Sequence, residues 1–211
     1  MKEKYFWIIL VILLSGCSTK SFVSNLYKNS LFDYDKFSSE SIQIIPPRDI
    51  NISAEEFSGI NKQELKEEVV ELLKQKLVKA YKHDNIYVGE RLISVSSGLM
   101  TKENIKEIQK YISSSEANYF VFVGMINIGK RLSMDLENLG PSSPGSTLNT
   151  NYVKAISIPI DIWGKKEGQS LLSFEISTEV TNHFLQNSGS ASLDGTIDEL
   201  VNYIKKYKNE K

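Results

Sequence analysis

Cysteine is almost missing from this chain. Cys17 is the only one in 211 residues, so no intrachain disulfide can form and the core alone must hold the fold. Histidine is nearly as scarce, with only His83 and His183. Neither has a Cys, His or Glu at metal-ligand spacing; His83 closes a helical pattern and His183 a strand pattern, so both read as structural. Neither sign of charge dominates, at 25 basic and 26 acidic residues. A nucleic-acid partner normally shows as a basic surplus, and none is expected. There is no Gly-x-Ser-x-Gly elbow to expose a nucleophilic serine. Residues Gly124 to Arg131 approach the phosphate-binding pattern G-x-x-x-x-G-K-[ST], but Arg131 stands where a magnesium-holding hydroxyl is needed. No helix signal follows to offer its N-terminus to a phosphate. The segment reads as a strand running into a basic loop. No catalytic residue, metal or small-molecule cofactor is assigned, and the expectation is a non-enzyme.

What is present begins with an address. A charged start, Met1-Lys2-Glu3-Lys4, precedes an apolar run from Phe6 to Leu14, the layout of a secretory signal peptide. The run is shorter than the ~20 residues that span a bilayer. It closes on Leu14-Ser15-Gly16-Cys17, which resembles the lipobox of bacterial lipoproteins. The resemblance implies cleavage between Gly16 and Cys17, removal of residues 1–16, a diacylglycerol on the Cys17 thiol and often a further acyl chain such as palmitate on the freed amine. Two or three chains, at about 0.8 kcal/mol per buried CH₂, anchor a protein stably where one does not. Ser18 implies, by similarity to enterobacterial sorting, the periplasmic face of the outer membrane; an Asp there would imply the inner membrane. An unmodified secreted chain is the alternative.

Residues 18–40 are rich in Ser, Asn and Lys with scattered aromatics and no sustained period. Residues 17–40 therefore read as a lipidated cysteine and a membrane tether, and residues 41–211 as one domain without internal repeats. Ser41 to Ile45 predicts a strand ended by Pro46-Pro47, and 48–60 a polar loop. Asn61 with Glu64 has the spacing of a capping box. Leu65, Val69, Leu72, Leu73, Leu77, Ala80 and Tyr81 then mark one apolar helical face. A strand from Ile86 towards Ile93 follows, then a helix capped by Thr101 with Ile105, Ile108, Tyr111 and Ile112 inward. Asn118 to Ile128 is a continuous apolar run, predicting a central strand covered on both faces. Two crossover units result, expected to be parallel and right-handed.

Residues 129–151 show little pattern and predict a long loop, the leading candidate for partner contact, with Arg131, Asn138, Pro141 and Pro144 as its markers. Tyr152 to Trp163 and Leu172 to Val180 alternate around a turn at Gly164–Gly168, predicting an antiparallel hairpin with one buried and one wet face. Pro159 on the wet face predicts an edge or bulge. A last helix buries Ile197, Leu200, Val201 and Ile204, with Lys205, Lys206 and Lys208 at its C-terminal end, where cations suit the helix dipole. The class is α+β, a two-layer α/β arrangement with a mixed sheet in the order β-α-β-α-β-β-β-α. Asn51-Ile52-Ser53, preceded by Asp49, forms an N-glycosylation acceptor pattern.

This order, the segment Glu116-Ala117-Asn118-Tyr119-Phe120-Val121-Phe122-Val123-Gly124 and the hairpin from Ile160 to Gly168 resemble the α/β domain of envelope proteins. Examples are the curli-secretion lipoprotein CsgG, the penicillin-binding-protein activator LpoB and the N-terminal domain of TolB. Asn118 stands where that family has Asp, and Asp161-Ile162-Trp163 departs from its usual order. The C-terminal half is also similar to auxiliary lipoproteins of lipid-transport ABC systems. The resemblance implies a fold and no functional residue. The expected function is a lipid-anchored, non-catalytic binding or assembly factor with an envelope protein partner, in secretion, transport or cell-wall machinery. The alternative is an oligomeric secretion-channel subunit of the CsgG type. That needs amphipathic membrane strands of about 10 residues, for which 129–151 reads as too polar and Pro-rich. An envelope hydrolase is the third reading.

Overall fold

The computed structural model describes residues 21–53, 55, 58–90, 102–138, 146–179 and 190–209, with the backbone alone at 102–103, 131–138, 146–152, 190–192 and 209. Gly16, Cys17, Pro141, Pro144 and His183 lie outside the described residues. The elements run β1 (Ser21–Lys28), α1 (Tyr34–Ser39), β2 (Ile42–Ile45), β3 (Ile50–Ile52), α2 (Lys62–Tyr81), β4 (Ile86–Val88), α3 (Lys102–Ser114), β5 (Tyr119–Val123), β6 (Ile126–Asn138), β7 (Ser146–Gly164), β8 (Gln169–Glu179) and α4 (Ser190–Lys205), closed by a 3₁₀ turn at Lys206–Asn209. They form an α+β domain around one eight-stranded mixed sheet, ordered β1-β8-β7-β5-β2-β4, with β6 beside β7 and β3 beside β6.

Local chemistry sets the element ends. The Asn61 side chain accepts from the backbone N–H groups of Gln63 and Glu64, satisfying two orphan donors at the start of α2. Lys82 stops that helix in the left-handed region at φ 59°, its N–H donating to Val78 O. Gly168, at φ 61°, makes the β7–β8 turn. Strands β4 and β5 both run parallel to β2, as the two crossover units require.

The core divides by side-chain parity. On one face Ile42, Ile44, Val121, Val123, Ile158, Ile160, Ile162, Leu172 and Phe174 meet Val69, Leu73 and Leu77 of α2 and Ile197, Leu200 and Ile204 of α4. Full burial of each such side chain contributes about 1.5–3 kcal/mol. On the other face Ile45, Phe120, Phe122 and Trp163 meet Ile108 and Ile112 of α3. Strand β5 is consequently buried at all five positions, as its unbroken apolar run predicts. To the two layers expected, α3 adds a partial third.

Five expectations are corrected. Residues 21–40, expected within the 17–40 tether, belong to the domain: β1 pairs with β8 from Ser21 onward, and Phe32, Tyr34 and Phe37 are buried in the main core. The aromatics drive this, since Phe37 packs edge-on to Tyr81 and Tyr119, and Phe32 edge-on to Tyr207. The 48–60 loop contains β3, which pairs in parallel with β6. The run 118–128 is two strands, parted at Gly124-Met125, where the neighbour of β7 changes from β6 to β5. Pro159, expected at an edge or bulge, is at neither: β7 has neighbours on both sides and its bulge against β8 is at Ile162/Trp163. It stands in the gap between the β6 and β5 pairings, where its missing N–H costs no ladder bond; its carbonyl accepts from Gly124 N–H at 2.8 Å, and a Cβ on Gly124 would lie 3.0 Å from Pro159 Cβ. The largest correction concerns 129–151. Residues 129–138 and 146–151 belong to a two-stranded antiparallel ribbon, in register from Asn127↔Ser157 to Asn138↔Ser146. Every second residue from Leu132 through Met134 to Leu136 is apolar, a strand period hidden by the polar composition.

Candidate functional site

Among the described residues, α3 covers only part of the sheet face on which it packs. Beyond Phe120, Phe122 and Trp163 its floor is polar. The register aligns Asn51 with Asn127, Asn127 with Ser157, Ser157 with Ser177, and Asp161 with Ser173. Alternation places all of these on the face opposite the α2–α4 layer. Two clefts open there.

The first, about 520 Å³, is bounded by Ile105 and Gln109 of α3, Asp161 and Trp163 of β7, Ser170 and Ser173 of β8, and Tyr27 of β1. Asp161 is its chemical centre. Its Oδ2 accepts from Trp163 Nε1 at 2.7 Å, and its Oδ1 accepts from Ser170 Oγ at 2.5 Å. Burial pushes the Asp161 carboxyl above its ordinary value of 3.8, and the two donors pull it back. Gln109 Nε2 donates to Gly168 O at 2.9 Å and ties α3 to the turn over the cleft. The Trp and Ser donors orient the carboxylate and supply no proton relay. The arrangement suits recognition of a donor group on a partner.

The second cleft, about 430 Å³, holds Asn51, Ser53, Asn127, Lys130, Ser157, Glu175 and Asn25 among its walls. Asn51 Nδ2 donates to Asn127 Oδ1 at 3.2 Å, Ser157 and Ser177 share a 2.7 Å hydroxyl bond, and Ser177 Oγ donates to Glu175 Oε1 at 3.3 Å. Ser177, expected on the wet face, is fully buried, with Phe22 of β1 in register beside it. A third hollow, about 420 Å³, lies between Pro46-Pro47, α2 and Val88.

The sequence-marked residues do not converge. Arg131 and Asn138 are on β6, Arg131 opposite Val153 and Asn138 opposite Ser146 at the ribbon's far end. Asn51 is exposed on β3 with its amide engaged by Asn127. The near-match to a phosphate loop, Gly124–Arg131, lies mostly in strand β6. His83 Nε2 is 3.0 Å from Ser38 O, joining the end of α2 to α1. Among the described residues no three His, Cys, Asp or Glu side chains gather as a metal-ligand set, and no helix is long and apolar enough to cross a membrane. Sequence reasoning missed Asp161 as a feature. The signal was a carboxylate one residue from Ile160 and Ile162 and two from a Trp, on a strand flanked on both sides.

No protein-family model matches the chain, and no curated protein matches it. Solved structures with a similar path include the PelC dodecamer from Paraburkholderia phytofirmans, at 6% identity and TM-score 0.44 over 88% of this chain and 97% of that one. Another is a putative neuraminyllactose-binding hemagglutinin homolog from Helicobacter pylori, at 12% identity and TM-score 0.40 over 86% and 89%. A third is lipoprotein GNA1162 from Neisseria meningitidis, at 15% identity and TM-score 0.35 over 79% and 99%. Superpositions this loose assign neither a family nor a function.

Proposed function

We propose that this chain is a lipid-anchored, non-catalytic binding or assembly factor of the bacterial cell envelope, held at the periplasmic face of the outer membrane through acylated Cys17. The observation that carries the reading is the pairing of a lipobox with a domain whose sheet face beside α3 offers oriented polar groups, Asp161 held by Trp163 and Ser170 and Glu175 by Ser177. Asp161, Ser173, Glu175 and Asn127 are recognition groups for an envelope protein partner, and no small-molecule cofactor takes part. The test has two arms. Mass spectrometry of the native protein reads the acyl mass on the Cys17 peptide. A photo-crosslinking residue at Ser173 captures a partner, while one at Gln75, on the exposed face of α2, does not. Equal capture from both positions, or a free Cys17 thiol, overturns the reading.

The β6–β7 ribbon supports a second reading, a channel subunit of the CsgG type. Its paired strands exceed the 9–11 residues with which a tilted strand crosses a bilayer. Stepwise conductance across a planar bilayer, lost on deleting 133–151, is the result expected of that reading; no conductance removes it.

A further inference from the structure

Among the described residues three strands, β1, β3 and β4, have a neighbour on one side only, and β1 is the unusual one. Val23, Leu26 and Tyr27 are 39%, 53% and 51% exposed, and Leu31 just beyond the strand is 54% exposed. A long edge strand with exposed apolar side chains is a liability unless something covers it. These side chains are not confined to one face. Val23 is in register with Ile176, on the α2–α4 side, and Tyr27 with Ser173, on the opposite side. Leu26 lies in the bulge between, beside Asn25 at φ 54°. Exposed apolar side chains therefore flank this edge on both faces of the sheet.

Chain length says what covers it. Between Cys17 and Ser21 there are four Cα steps, at most about 14 Å. If Cys17 is acylated, as the proposed function holds and on which this inference rests, Ser21 cannot leave the headgroup region by more than that. Leu26 lies about 16 Å further along the strand at ~3.3 Å per residue, so the apolar row reaches lipid only if β1 lies along the surface. The charges at its far end agree with that posture. Lys28 Nζ sits 4.3 Å from the Tyr207 ring centre, and Tyr207 packs against Phe32. This places Lys28 with exposed Lys206 and Lys208 at the same end, cations suited to anionic headgroups. We propose that the β1 edge, from Val23 to Leu31, rests on the bilayer interface, so that the domain lies against the membrane and is not held away from it by a tether.

The scarcity of cysteine makes the test clean, because an acylated Cys17 carries no free thiol. Leu26→Cys, Leu31→Cys and, on the opposite edge, Tyr87→Cys are each labelled with a small fluorophore in the full lipidated protein. The proteins are placed in phosphatidylethanolamine–phosphatidylglycerol vesicles containing nitroxide-bearing lipid. The expected result is severalfold stronger quenching at positions 26 and 31 than at 87, weakened when phosphatidylglycerol is omitted. Equal quenching at 26, 31 and 87 in protein that co-floats with the vesicles overturns the inference and leaves the anchor intact. Unquenched labels accompanied by disulfide crosslinking of Val23→Cys between copies assign the edge to a second copy and also overturn it. Protein that neither carries an acyl mass nor co-floats overturns both this inference and the anchored function.

Discussion

The two faces of the sheet have been built to different ends. The face under α2 and α4 is closed: β2, β5, β7 and β8 all present aliphatic side chains to it, and Lys76 of α2 binds Asp194 and Asp198 of α4 at 2.8 Å each. The face beside α3 has a smaller cluster, then a floor of Asn, Ser, Asp and Glu with two clefts. The same strands supply both, because alternation lets Ile160 and Ile162 hold the core while Asp161 between them faces the cleft. Stability is concentrated on one side, which leaves the other free to carry polar groups that a core could not bury.

The sharpest way to break that division is Phe37→Ala. Phe37 is fully buried in the closed face's core, so the loss should be about 3–5 kcal/mol, read by urea unfolding. A loss near zero would return residues 32–37 to the tether. Ile112→Ala, in the smaller cluster, should cost about 2 kcal/mol, the low end for its type; a cost equal to that of Phe37→Ala would erase the contrast between faces. Lys76→Met should cost at most about 1 kcal/mol, since its pair is solvent-exposed on the acidic side, and high salt should shrink the difference.

Asp161→Asn tests the open face by pH. The folded protein holds the Asp161 proton more tightly than the unfolded chain does. Stability from this group is therefore greatest in acid and falls as pH rises above the ordinary value of 3.8. The variant should remove that fall, seen as a flatter Tm profile from acid to neutral pH; an unchanged profile would mean that Asp161 is not enclosed. Glu175→Gln should leave stability within about 0.5 kcal/mol while weakening crosslinked capture from Ser173. Loss of fold without change in capture would reverse the roles assigned to this face.

Periodic segments were legible in the sequence. The Asn61 cap, the α2 stripe, the central β5 and the β7–β8 hairpin follow from short-range pattern, and the structure has each of them. Segments that depend on distant partners were not. Strand β1 has no usable period because a bulge at Asn25 interrupts it, and its pairing with β8 is fixed from the far end of the chain. β3 is three residues long and exists because β6 runs beside it. In the β6–β7 ribbon, Asn, Thr and Ser dilute an alternation that Leu132, Met134 and Leu136 still carry. The open face was legible only as polarity; that Asp161 is enclosed required knowing that α3 returns over the turn at Gly168.

The pairing of β1 with β8 also sets an order of events. Ser21 bonds to Thr178, 157 positions later, so the first of the described strands must wait for the last of them to find its partner. Loop closure over that separation is slow, and β1 must wait with its apolar side chains uncovered until β8 arrives. With Cys17 acylated as proposed, the bilayer is the nearest apolar surface during that interval. On the proposed posture, the membrane that covers this edge in the finished protein also shelters it while the rest of the chain folds, which turns an aggregation hazard into a scheduled step of biogenesis.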